Sequence, residues 1–110
     1  RGPEALQAVR ESGGRFLAVS DAEILEAWRM IAALEGLFVE PASAASIAGL
    51  RRALAEGIVP NRPEVRAVAV LTGHGLKDPE VAMQTLPPPI AVAPDWDALR
   101  RILEGLLDAP

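Results

Sequence analysis

The chain has 110 residues, room for one domain at most. Half of them are apolar, but the aromatics are two Phe and two Trp with no Tyr, so any core is built from Ala, Leu, Val and Ile. A net charge of −4 argues against nucleic acid or an anionic membrane as partner. The lack of cysteine removes disulfides, thiolate nucleophiles and cysteine-metal sites, and fits a cytoplasmic protein.

No apolar run approaches the roughly 20 residues of a membrane span. Arg1-Gly2-Pro3 shows neither an initiator Met nor a signal-peptide pattern, and reads as the interior of a longer chain. Residues Pro3 to about Glu11 read as a short helix with Pro in its first turn, ended by Ser12-Gly13-Gly14. Arg15–Val19 is a short strand candidate. Ser20 and Glu23 match a capping box, opening a helix to about Glu35. Ile24, Leu25, Trp28, Ile31 and Ala32 form its apolar stripe, and Gly36 is its stop.

Leu37-Phe38-Val39 reads as a very short strand, and Pro41 discourages helix at Glu40. A second long helix is expected from near Ser43 to Glu56. Its first half is nearly all small residues, which permits close approach of another backbone or a ligand. A Pro-containing loop leads to Val65–Leu71, the clearest strand. Pro79 to about Gln84 is a turn of helix, Leu86-Pro87-Pro88-Pro89 an extended spacer, and Asp95 caps a last helix over Trp96–Leu107. Helices alternating with apolar strands predict a parallel α/β architecture. Three strands make a thin sheet, so the piece is not expected to be comfortably stable alone.

Two segments can carry chemistry. In Leu71-Thr72-Gly73-His74-Gly75-Leu76-Lys77-Asp78 an apolar strand ends in a hydroxyl, followed by a glycine-flanked histidine. Ligands of open α/β sheets sit beyond the carboxyl ends of strands, so Thr72 is placed to face one. Equally, Thr72 can close the strand by bonding local backbone. His74 is the only histidine, so no multi-histidine metal site exists in this chain, and packing within the loop is its simplest role. Lys77-Asp78 taken alone reads as a surface ion pair. In Glu40-Pro41-Ala42-Ser43-Ala44-Ala45 a carboxylate precedes a small-residue helix start. The free N–H groups there can face an anion, or Glu40 can simply complement the helix dipole.

Together, Glu35 through Ala45 and Leu71 through Asp78 resemble the carboxyl-terminal part of the threonine synthase family. The resemblance covers roughly residues 1–90, including Leu86-Pro87-Pro88-Pro89. The first segment is also similar to the E-P-x-x-A pattern of threonine and serine dehydratases. The second is similar to the S-G-R-G-D-K-D segment of tryptophan synthase β chains.

The resemblance implies a fold-type-II pyridoxal-phosphate enzyme, with residues 1–89 as part of a three-layer α/β/α catalytic unit and 90–110 as a helical tail. It implies conversion of O-phosphohomoserine and water to threonine and phosphate by γ-elimination and β-replacement. Thr72 takes the place of the hydroxyl facing the cofactor's pyridine nitrogen. Glu40, Ala42, Ser43, Gly73 and His74 become pocket-lining candidates. The family's Schiff-base lysine, in a Ser-Phe-Lys-Asp-Arg type segment, and its phosphate-binding glycine loop do not occur here. Lys77, the sole lysine, is not at that position. The chain is therefore expected to be an inactive fragment without a catalytic residue of its own. Its expected partners are the remaining two thirds of the polypeptide and, in the full enzyme, a second copy. A related dehydratase, or a non-catalytic small-molecule-binding module, are the alternatives.

Overall fold

The computed structural model describes residues 1–108, so the final two residues of the expected tail lie outside it. In chain order it contains α1 (Gly2–Ser12), α2 (Asp21–Glu35), α3 (Pro41–Ala55), a 3-10 turn (Gly75–Lys77), α4 (Pro79–Thr85) and α5 (Trp96–Leu107). No helix of the described residues is long and apolar enough to cross a membrane.

The helix boundaries follow from local chemistry. Ser20 and Glu23 form the complete capping box, the Ser20 hydroxyl accepting from Glu23 N–H and the Glu23 carboxylate accepting from Ser20 N–H. Gly36 ends α2 with φ of 67°, the left-handed conformation that suits glycine. Helix α3 starts two residues before Ser43, because Pro41 with its preset φ and no N–H suits the first turn. Asp95 accepts from Ala98 N–H at 2.9 Å and caps α5.

The parallel sheet expected from the sequence is not formed among the described residues. Residues 15–19 and 65–71 carry neither helix nor ladder, and Val39 makes a single antiparallel bridge to His74. A strand exists only through the neighbours that take its N–H and C=O groups, and parallel neighbours arrive by long crossovers. Val68 and Val70 are 90% and 67% exposed, as befits an interior-type strand sequence that has no neighbours.

What does pack is the α2–α3 pair. Ala27, Trp28 and Ile31 of α2 meet Val39 and Ala44 and Ala48 of α3, with Val19, Ile24, Ile47, Leu71 and Ala82 against the rim. The alanines let the two helices approach closely around the Trp28 indole. Helices α1 and α5 contribute no buried residue. The radius of gyration is 19.0 Å, against about 13 Å for a compact domain of this length. The accessible surface is 8740 Å², against about 5,800 Å² for a folded monomer of this mass. The chain leaves much of its apolar surface uncovered.

Two interactions anchor the pair. The Trp28 Nε1–H donates to the Val39 carbonyl at 2.6 Å in the core. Arg52 of α3 grips the Glu23 carboxylate through Nε and Nη2 and donates to the Ala18 carbonyl, tying the segment before α2 to α3.

Replacing Trp28 by Phe leaves the buried Val39 carbonyl without its donor. Trp28→Phe is expected to lower unfolding free energy by about 2 kcal/mol, read as an earlier urea midpoint at unchanged slope. An unmoved midpoint contradicts this role for the indole N–H. A second expectation concerns acid. The N–H and O–H of Ser20 first, then Arg52, hold the Glu23 carboxyl at about 2 against an ordinary 4.5. With the folded value depressed, the group's contribution is full above pH 4.5 and is lost as pH falls toward 2. Helical circular dichroism should decline with acid in that window, and Glu23→Gln should remove that part of the decline. Identical acid profiles for the two proteins would show that the carboxylate contributes nothing there.

Candidate functional site

The two segments singled out in the sequence meet at the amino end of α3. Trp28 fixes Val39 from one side, and residues 73–75 pair with the same stretch from the other. Glu40 N–H donates to the Gly73 carbonyl at 3.0 Å, and Gly75 N–H donates to the Phe38 carbonyl at 3.0 Å. The backbones approach closely because both loop glycines lack side chains. A Cβ on Gly75 would sit 2.5 Å from Phe38 ring atoms, and one on Gly73 would overlap the Glu40 carboxylate.

Ser43 is the hub. It lies in the first turn of α3, where side chains lean back toward the helix start. The residue is 2% exposed. Its Oγ accepts from the N–H of Thr72 and the N–H of Gly73, each at 2.9 Å. The Ser43 and Thr72 hydroxyl oxygens lie 3.1 Å apart. Thr72 also reaches Glu40, donating to Oε1 at 3.4 Å. On the far side, Lys77 Nζ holds Glu40 Oε2 at 2.7 Å. Ser43, Thr72, Glu40 and Lys77 thus form one connected polar row.

Several expectations sharpen here. Glu40 immediately precedes α3 but makes no side-chain cap bond. Its side chain is only 12% exposed, facing Thr72 and Lys77 rather than solvent. Lys77 pairs with Glu40 and not with its neighbour Asp78, because consecutive residues of a tight turn point apart. His74 serves its own loop: Nδ1 accepts from Leu76 N–H at 3.1 Å, which leaves the ring proton on Nε2, and its ring stands edge-on to Phe38 at 5.6 Å. Ser43 reaches beyond the lining role expected of it. The one hint of this in the sequence is a hydroxyl set among alanines in a helix's first turn.

An open cavity of about 570 Å³ adjoins this row, walled by Phe38, Val39, Leu71, Thr72, Gly73 and His74 among others. Thr72 is an exposed residue and lines this cavity together with the apolar Phe38 and Leu71. Ala42 does not join this cavity. It lines a separate one of about 380 Å³ with Ile24, Leu25 and Val81, between α2, α3 and α4.

A hydroxyl donor backed by a carboxylate at the rim of an apolar recess suits one polar atom of an otherwise flat, apolar ring. Comparison with known proteins gives the family. Residues 1–73 match the family described as pyridoxal-phosphate dependent enzyme, and the chain belongs to that family. Its cofactor is pyridoxal phosphate.

Among curated proteins, the chain is 52% identical over 104 residues to the threonine synthase of Methanocaldococcus jannaschii, covering 94% of this chain and 25% of that protein. It is 51% identical over 92 residues to the threonine synthase of Mycobacterium bovis, covering 82% and 25%. It is 57% identical over 81 residues to that of Synechocystis sp., covering 74% and 20%. The chain spans about a quarter of the length of the curated relatives it matches.

The tight approach of Gly73 to Glu40 can be tested directly. Gly73→Ala is expected to push the Glu40 carboxylate away from Thr72 and Lys77 while leaving the helices intact. The cost should be about 1 kcal/mol, since Lys77 is largely solvated although Glu40 is not. Side-chain NMR signals of Glu40 and Lys77 should move with far-ultraviolet circular dichroism unchanged. Unmoved signals would contradict the close approach.

Proposed function

We propose that this chain is the carboxyl-terminal part of a threonine synthase, with residues 1–89 in the catalytic α/β unit and 90–110 as its helical tail. Three things support this reading: the family membership, the shared name of the relatives, and the Thr72 hydroxyl held at a cavity edge by a buried serine. That last observation carries the argument, because a structural threonine would turn its hydroxyl into local backbone instead. The relatives favour a synthase over a dehydratase or a free-standing binding module.

In the proposed complete enzyme, segments 15–19, 37–39 and 65–71 become strands of a parallel sheet completed by the rest of the polypeptide. The bare backbone and exposed valines of 65–71 support that role. The enzyme acts on O-phosphohomoserine and water, releasing threonine and phosphate through γ-elimination and β-replacement, and works as a homodimer.

Pyridoxal phosphate, when bound, supplies an electron sink for negative charge developing on the substrate's carbon skeleton. The residues of this chain hold one edge of it. With the cofactor in place, the Thr72 hydroxyl would donate a hydrogen bond to the ring nitrogen instead of its long contact to Glu40. A neutral hydroxyl does not enforce a protonated ring as an aspartate would. Phe38 and Leu71 shield the ring edge from water, while Gly73 and His74 hold the loop that carries Thr72. Lys77 pairs with Glu40 and does not stand at the family's Schiff-base position. The Schiff-base lysine and the phosphate-binding loop are contributed by the remainder of the polypeptide, so this chain alone has no turnover.

The test is the complete polypeptide carrying this segment, supplied with O-phosphohomoserine. Equimolar phosphate and threonine are expected. Thr72→Ala should lower turnover or cofactor affinity about fivefold, the equivalent of one neutral hydrogen bond of about 1 kcal/mol. Absence of phosphate release refutes the reaction, and unchanged kinetics and cofactor binding in Thr72→Ala remove this residue from the site.

A further inference from the structure

We infer that Ser43 sets the direction of the Thr72 hydroxyl, turning it into a hydrogen-bond donor toward the ligand. Ser43 is thus a positioning residue for the site, an inference that rests on Thr72 facing the cofactor's ring nitrogen.

The argument is a count of protons and lone pairs. A hydroxyl offers one proton and two acceptor lone pairs. Ser43 Oγ accepts from Thr72 N–H and from Gly73 N–H, so both lone pairs are taken. Only its proton remains to be placed. Two acceptors lie in reach, Thr72 Oγ1 at 3.1 Å and the Gly73 carbonyl at 3.5 Å. The carbonyl is farther, at the outer limit of a hydrogen bond, and already receives Glu40 N–H on one of its two lone pairs. The Ser43 proton therefore goes to Thr72 Oγ1.

That assignment decides the next one. Thr72 accepts from Ser43 and cannot donate back to it, so its own proton points away from α3. In the free site it turns to Glu40 Oε1 at 3.4 Å, a long contact. Lys77 holds the other carboxylate oxygen at 2.7 Å and draws charge from that side. The Thr72 proton is thus turned away from Ser43 and loosely held. A hydroxyl that accepts one bond is also polarised as a stronger donor along the chain. The ligand atom that completes this row is an aromatic nitrogen with a free lone pair, rather than one carrying a proton.

The burial of Ser43 makes the device rigid. At 2% exposure no water replaces its partners, so the two N–H groups and the hydroxyl have no alternative bonds. Removing the serine oxygen frees Thr72 to rotate and to accept.

The experiment uses the complete enzyme loaded with pyridoxal phosphate labelled with 15N in the ring. Ser43→Ala is the main variant. Ser43→Cys keeps the side chain's shape with a weak sulfur donor and acceptor, in case the alanine variant folds poorly. Thr72→Val is the control. Both Ser43 variants are expected to move the ring-nitrogen signal toward the protonated position at neutral pH. They should also speed amide exchange at Thr72 and Gly73 by roughly tenfold or more. If Thr72→Val moves the signal and neither Ser43 variant does, the positioning role is overturned while Thr72 keeps its place. If Thr72→Val also leaves the signal unmoved, the cofactor-facing reading of Thr72 fails, and this inference fails with it. Unchanged exchange at Thr72 and Gly73 in both Ser43 variants overturns the hydrogen-bond geometry itself.

Discussion

The Trp28 indole N–H bonded to the Val39 carbonyl is the contact on which the rest depends. It is buried, and it joins the largest core side chain to a stretch with little secondary structure of its own. Residues 38–40 are too short to hold themselves, yet they must stay put for residues 73–75 to pair with them. The indole supplies that constraint from α2, and the alanines of α3 let it sit close. Position then passes outward, from helix to short segment to loop.

The loop in turn is held by unlike means at its two edges. Backbone bonds at Glu40 and Phe38 set its distance, while the Ser43 hydroxyl sets its orientation by collecting two neighbouring N–H groups. A single buried oxygen holding both N–H groups leaves little slack at Thr72. Of the charged members of the row, Lys77 lies toward solvent while Glu40 is nearly covered, and both contribute mainly direction. Rigidity sits in the buried serine, and the loop it holds carries the Thr72 hydroxyl.

Much of the helical part was legible because its signals are local. Ser20 with Glu23, Pro41, Gly36 and Asp95 each act within one turn, and the caps fell where their chemistry demands. The strands were legible only as apolar runs. A ladder needs partners that a run of valines cannot announce, and 65–71 finds none within this chain. The Ser43–Thr72 contact was hidden for another reason. The two residues are 29 positions apart, small, and common in both helices and loops. Lys77 was misread by adjacency, since Asp78 is its neighbour in sequence but not in space. Ala42 was grouped with Ser43 for the same reason, although adjacent helical residues point about 100° apart: Ala42 lines the recess against α2 and α4, while Ser43 is buried against the Thr72 loop.

The bare run at 65–71 has one further consequence. Val65 through Leu71 combines high β-propensity, no proline and a single charge at Arg66, the composition that lets strands of separate molecules add to one another. Here it lies open, with Val68 almost wholly solvated. Wherever this segment exists before its neighbours arrive, as on a nascent chain, Arg66 and the prolines at 60 and 63 are its local guards against edge-to-edge association. An apolar run of this kind is a hazard for as long as it stands open, which ties the safe production of this protein to how soon something covers it.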